Sequence, residues 1–334
     1  MLRMIKSKEK GDTHKELMNY IDFPNLTTKL SRMIYGTAIK PLMEGSGADD
    51  VLDFVLSQGI TTFDTARSYG QSEQCLGRWI KQRGNRERVN ILTKGCNPDQ
   101  TGIKFTPQSL RKELTESLDA LQVEYVDLYC LHRDDTSVDV SVFIETLNEF
   151  MSEGKIRAFG ASNWNYHRMD KANEYAYANN LKGFSFGSPA FSLAEVVGDP
   201  WGGSVHISGA DNAGARQWFG KNQIPVFPYS SFARGFFSGK YRTDRDNSPT
   251  DVLPPWTCEE YVCPDNIERL RRAERLAAEK NCTVGQINLA WTLAQPFICC
   301  PIFSPSSISH IRDNIKGMAI ELTESERLWL NLEK

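Results

Sequence analysis

Short apolar runs recur at intervals of about 30 residues along the chain, at 33–35, 60–63, 89–92, 126–131, 156–159, 184–186, 224–227 and 297–302. Between them lie segments with helical period and helix-start chemistry. Thr106-Pro107 opens a stretch whose apolar positions are Leu110, Leu114, Leu118 and Leu121, and Ala48-Asp49-Asp50 opens one with Val51, Val55 and Leu56. This alternation of eight runs with helices predicts an α/β fold of the (β/α)8 TIM-barrel type, with eight parallel strands closed on themselves. An open doubly wound sheet is the competing architecture. Its dinucleotide-binding turn is missing, since Met33-Ile34-Tyr35-Gly36-Thr37-Ala38 lacks the G-x-G-x-x-G spacing.

One barrel accounts for the 334 residues, 40% of them hydrophobic. Residues 1–28 are charged and polar and read as an N-terminal arm, which leaves 29–334 for the barrel. Two long gaps, near 193–209 and 241–264, are expected as loops on the carboxyl face, where Trp201, Trp256 and Tyr261 would shape a pocket. A formal net charge of −3 and a pI near 6.0 supply no basic field for nucleic acid or an anionic membrane. No run reaches the roughly 18 apolar residues of a spanning helix, and the first ten residues hold no signal-peptide core, so a cytoplasmic protein is expected. The eight scattered cysteines are expected as reduced thiols. No histidine lies near Cys258 and Cys263 or near Cys299 and Cys300 to complete a zinc site, so no metal is expected.

Four polar groups stand where predicted strands stop. Asp64 ends the second run, Tyr69 follows five residues later, Lys94 ends the third and His132 the fourth. A barrel brings such positions together at the carboxyl ends of its strands. Singly, each has an ordinary structural explanation: a helix cap, a surface aromatic, a solvated charge, a core histidine. Together they suit reduction of a carbonyl by hydride. The carbonyl oxygen needs a proton donor, and a phenol of ordinary pKa near 10 needs a neighbouring cation to stabilise its phenolate. Lys94 supplies that cation, Asp64 keeps the ammonium charged against desolvation, and His132 donates a hydrogen bond that orients the oxygen.

The order Asp, Tyr, Lys, His resembles the aldo-keto reductase superfamily, and the resemblance runs from about Lys29 to Leu332. It is carried by Phe63-Asp64-Thr65-Ala66 with Tyr69-Gly70 and Glu73, by Thr93-Lys94, by Asp127-Leu128-Tyr129 leading into Leu131-His132, and by Gly160-Ala161-Ser162-Asn163-Trp164. The resemblance implies NAD(P)H-dependent reduction of an aldehyde or ketone, a small-molecule carbonyl partner, and Tyr69 as general acid. It implies that Ser162 and Asn163 hold the nicotinamide carboxamide and that Tyr229 stacks on the nicotinamide ring. Ser230, Phe232 and Arg234 are placed by it against the pyrophosphate. Where the family has a glutamine in its sixth strand this chain offers Ser188, and the family's usual tyrosine there becomes Phe191. Near the C-terminus the adenosine-phosphate segment falls on Ser304, Ser306, His310, Asp313 and Asn314, with serines and His310 where lysine or arginine is frequent. Ser306, Ser307 and Ser309 at a helix start, with Arg312 nearby, are the expected 2′-phosphate site. NADP is the expected cofactor and NAD the alternative.

Trp164, Phe191 and Trp201, with Trp256, are expected to give the substrate pocket apolar walls, suited to a sugar, steroid or aromatic carbonyl. Two other functions fit the same chain. One is a nucleotide-binding regulatory subunit without significant turnover. The other is an aldolase that uses Lys94 to form a Schiff base.

Overall fold

The structure, a computed structural model, describes residues 4–6, 18–97, 105–199 and 201–333. Its strands in chain order are β1 (Met4–Lys6), β2 (Asn19–Ile21), β3 (Leu30–Ser31), β4 (Ile34–Gly36), β5 (Thr62–Asp64), β6 (Asn90–Gly95), β7 (Val126–Leu131), β8 (Ile156–Ser162), β9 (Gly187–Ser188) and β10 (Ile302–Phe303). The last seven form one curled parallel sheet in the order β10-β4-β5-β6-β7-β8-β9. Val226 joins its two edges, pairing in parallel with Gly187 on one side and Cys299 on the other. The (β/α)8 barrel is thus closed, its seventh strand reduced to isolated bridges at Val226 and at Tyr229, which pairs with Ala190. Pro225 and Pro228 each precede one of these residues and have no N–H to extend the ladder. The sixth run continues past 184–186: its strand is Gly187–Ser188, preceded by bonds from the Ser185 N–H to the Phe159 carbonyl at 2.8 Å and from the Ala161 N–H to the Phe186 carbonyl at 3.3 Å.

Local chemistry explains the helices. Thr106 caps Pro107–Leu121 in a reciprocal capping box with Ser109, and Leu110, Leu114, Leu118 and Leu121 are buried. In Asp49–Ser57 the buried residues are Leu52 and Val55, so the inward stripe is rotated from the expected Val51, Val55 and Leu56.

The arm expected over 1–28 is, from Met18 on, part of the packed structure. Strands β1, β2 and β3 form an antiparallel sheet. Ile21, Phe23 and Leu30 join an interior cluster with Leu92, Leu128, Ala158, Phe186, Phe227 and Ile302. Side chains alternate across a strand, so the residues two or four positions after this cluster's members also point inward, one layer nearer the carboxyl end. Those residues are Lys94, His132 and Ser162. The apolar plug therefore closes one end of the barrel and leaves polar groups at the other.

Both insertions pack on that polar end. In the first, Leu193, Ala194, Val196 and Ile207 are buried. The second carries two short helices, Pro249–Val252 and Pro255–Tyr261. The Val197 N–H donates to the Glu260 carbonyl at 2.9 Å and links the two. Among the described residues no helix is long and apolar enough to cross a membrane. All eight cysteines are free thiols.

Candidate active site

A chamber of about 1350 Å³ opens at the carboxyl face. Asp64, Tyr69, Lys94 and His132 all line it. The Lys94 ammonium, almost fully buried, forms an ion pair with Asp64, donates to the Thr65 carbonyl at 2.9 Å and donates to the Tyr69 phenol at 3.3 Å. Burial works against its charge, but the Asp64 carboxylate and the Tyr69 oxygen outweigh it, and Lys94 is held protonated. Burial pushes the Tyr69 phenol above its usual range, with Lys94 pulling the other way, so the phenol keeps its proton at neutral pH. The tight turn that presents Tyr69 needs a glycine next: Gly70 has φ +56°, and a Cβ there would come within 2.4 Å of the Met43 carbonyl.

The His132 ring stands nearly perpendicular to the Tyr69 ring, 5.9 Å between centroids. Burial first, then Lys94 and Arg133, push its pKa down to about 3. The imidazole is therefore neutral and carries one N–H to donate. Its backbone is pinned by a hydrogen bond from its own N–H to the Gly95 carbonyl at 2.7 Å.

The expected cofactor residues divide. Ser162, Asn163, Tyr229, Ser230, Phe232, Arg234, Ser304, His310, Asp313 and Asn314 line the chamber. Asn163, at φ +57°, is a knot between elements. Its amide nitrogen donates to the His132 carbonyl and to Ser162 Oγ, both at 3.1 Å, while its oxygen accepts from the Val205 N–H at 3.1 Å and the Tyr229 hydroxyl at 2.7 Å. A carboxamide bound there would have to take over one of these bonds. Ser230, Ala233, Arg234 and Gly235 all have positive φ and fold the strap after the seventh strand into a tight backbone curve on the chamber wall. A Cβ on Gly36 would meet Ser304 Oγ at 2.3 Å, so that glycine makes room for the serine.

Other expectations need correction. Ser188 is buried, donates its hydroxyl to the Phe227 carbonyl at 2.7 Å and does not line the chamber. Ser306 is exposed and outside the chamber, and Arg312 lies over the Phe54 ring at 5.2 Å. Those residues thus stand outside the chamber lining, while Ser304 and His310 of the same segment belong to it. The Arg234 guanidinium forms an ion pair with buried Glu260 at 2.9 Å and lies over the Trp201 ring at 4.3 Å, so it ties the two insertions together. Phe191, 1% exposed, packs on Trp291 and Phe297, and Trp164 packs on Phe143 and Phe184; neither faces the chamber. Trp256 is exposed and outside the chamber, so Trp201 alone of the four expected pocket aromatics lines it, edge-on to Tyr229 at 6.3 Å.

The sequence reading missed Ser68, Asn97, Arg133, Lys240 and Arg242, which also line the chamber. Arg133 directly follows His132, which was a usable signal. Lys240 and Arg242 follow the strap, in a stretch that looked like plain insertion. Arg242 is neutralised by Asp244, whereas exposed Lys240 makes no ion pair among the described residues.

The fit to a nicotinamide dinucleotide rests on this geometry. The chamber runs unbroken from Lys94 past the aromatic face of Tyr229 and the curved strap to Asn314. At the far end Gly285 leaves space that a Cβ would fill, 3.8 Å from Phe232 and 4.0 Å from Asn314. Tyr229 and the strap would hold the nicotinamide and pyrophosphate, and Phe232 with Asn314 the adenine.

Comparison with known proteins agrees. The model of the aldo/keto reductase family matches residues 32–327. Aldo-keto reductase str7 of Strobilurus tenacellus is 27% identical over 282 residues, 83% of this chain and 77% of that protein. Aldo-keto reductase yakc [NADP(+)] of Schizosaccharomyces pombe is 27% identical over 285 residues, 82% of this chain and 78% of its own. A putative voltage-gated potassium channel subunit beta of the same yeast is 27% identical over 279 residues, 78% of this chain and 75% of its own. With a closed barrel, a buried lysine against a phenol at its carboxyl face and a family match across most of its length, this chain belongs to the aldo/keto reductase family.

Proposed function

We propose that the protein catalyses the reversible reduction of an aldehyde or ketone to an alcohol with a nicotinamide nucleotide, NADPH in preference to NADH. The observation that carries this reading is the Lys94 ammonium fixed between Asp64 and the Tyr69 phenol at the chamber floor. Bound NADPH supplies the hydride. Tyr69 gives its proton to the carbonyl oxygen, and Lys94 stabilises the phenolate that remains. Neutral His132 donates a hydrogen bond to the same oxygen and so fixes the carbonyl's direction. Asp64 keeps Lys94 charged. In the reverse direction the Tyr69 phenolate takes the alcohol's proton.

The same geometry argues against a Schiff-base lysine, because a nucleophilic amine must be unprotonated and Lys94 is a paired ammonium with three acceptors. The preference for NADPH is supported by Lys240, a cation without an ion pair among the described residues, and by the named NADP(+) of the yeast relative. The test is Tyr69→Phe, assayed for NADPH-dependent reduction of a panel of aromatic aldehydes and for NADPH binding. Turnover should be nearly abolished while affinity stays within about threefold. Retained turnover removes Tyr69 from its role. A wild type that binds NADPH and reduces nothing on the panel favours a regulatory subunit.

A further inference from the structure

We propose that Arg133 is a specificity-determining residue that receives a carboxylate of the substrate, so that this chain reduces keto acids or aldehydic acids in preference to neutral carbonyls. The inference deepens the carbonyl-reduction reading and rests on it.

Three other cations of the chamber wall are matched: Lys94 by Asp64, Arg234 by Glu260 and Arg242 by Asp244. Arg133 is half-buried and makes no ion pair among the described residues. Among the described residues its one side-chain hydrogen bond runs from Nη1 to the Gly203 carbonyl at 3.0 Å, which leaves most of its five N–H donors without a partner there. Asp199, on the same insertion as Gly203, accepts from the Ser204 N–H at 3.2 Å and feels the Arg133 charge without closing to an ion pair with it. A half-buried guanidinium with no ion pair among the described residues, and with Asp199 acting on it only at longer range, carries a desolvation cost that an anionic ligand would offset, and its planar fork suits a carboxylate bidentately.

Position makes the residue useful for recognition. Arg133 is the next residue after His132, and its backbone is held at both ends of the peptide: its N–H donates to the Cys96 carbonyl at 3.0 Å and its carbonyl accepts from the Trp164 indole at 3.2 Å. The backbone of Arg133 is thus fixed next to His132, and its side chain lines the same chamber. Trp201, on the insertion that Arg133 touches, adds an apolar wall. A carbonyl compound with an apolar body and a carboxylate matches that combination.

The experiment compares ortho-, meta- and para-carboxybenzaldehyde with the corresponding nitrobenzaldehydes, which have similar shape and no charge. Steady-state kcat/KM with NADPH is measured for the wild type, Arg133→Met and Arg133→Lys. At least one carboxylate should be preferred over its nitro partner by about tenfold or more in the wild type. That ratio should fall to near unity in Arg133→Met, mainly through KM, and survive in part in Arg133→Lys. A ratio untouched by Arg133→Met overturns the assignment, as does the lack of any preference in the wild type. Binding of the carboxybenzyl alcohols to NADP+-loaded protein, followed by tryptophan emission, decides the matter without turnover. Binding that Arg133→Met abolishes upholds the anion site even if reduction is not the activity, whereas no binding to the wild type overturns it.

Discussion

Replacing Lys94 with Met separates the electrostatic role of this lysine from its structural one. The Tyr69 oxygen lies 3.3 Å from the Lys94 nitrogen. At an effective dielectric constant of about 20, full unit charges at that distance attract by about 5 kcal/mol. Only part of the phenolate charge has developed in the transition state, so about half of that, roughly 2–3 kcal/mol, is lost, and kcat should fall about 10²-fold. Stability should fall as well, because the buried Asp64 carboxylate loses its counter-ion at a cost of about 3–5 kcal/mol. With about 2.1 cal/mol/K of unfolding entropy per residue over 334 residues, that lowers Tm by about 4–7 °C. The double variant Asp64→Asn/Lys94→Met removes both charges. It should recover most of the lost Tm and none of the lost kcat. The assays are thermal unfolding by circular dichroism and loss of reduced-nicotinamide absorbance with an aromatic aldehyde. A kcat within about threefold of wild type in either variant would refute the phenolate-stabilisation argument.

Two further outcomes follow from the site. His132 is pushed from 6.5 to about 3, and the Tyr69 phenol is raised above 10.0. Above about 3 the imidazole is already neutral, and below the raised phenol pKa the acid is already protonated. The rate of reduction should therefore be flat through the ordinary histidine range, and a limb near 6.5 that vanishes in His132→Gln would contradict the assignment. Lys240→Met should weaken NADPH binding by about tenfold and leave NADH within about twofold, as read by fluorescence titration. Equal losses for both nucleotides would place the 2′-phosphate elsewhere.

The meeting of Asp64, Tyr69, Lys94 and His132 in one chamber was legible because two regularities coincide in the sequence. Strand period puts Leu92 and Lys94, or Leu128 and His132, on one face, and a parallel barrel gathers strand ends at one rim. The aromatics were less legible. Trp164 and Phe191 have the composition of pocket walls, yet burial against helices and burial against a chamber look alike along one chain. The length of the seventh strand was hidden by Pro225 and Pro228, whose effect on the ladder depends on which neighbour each residue would have met. The tail of the supposed arm was misread because Ile21, Phe23 and Leu30 are spaced too irregularly to announce a plug. Arg234 illustrates the last difficulty. Its charge suited a pyrophosphate, but its partner Glu260 is 26 residues away and comes into view only once the two insertions fold onto each other.

In the proposed reaction hydride passes from a nicotinamide to a carbonyl carbon under the Tyr69 phenol. The direct measurement is transfer of deuterium from NADPH labelled at the reactive ring carbon, with the alcohol product analysed by mass spectrometry. The wild type should give one deuterium on the carbinol carbon, and Tyr69→Phe no labelled alcohol above background. Unlabelled alcohol, or labelled alcohol formed equally well by Tyr69→Phe, would contradict it.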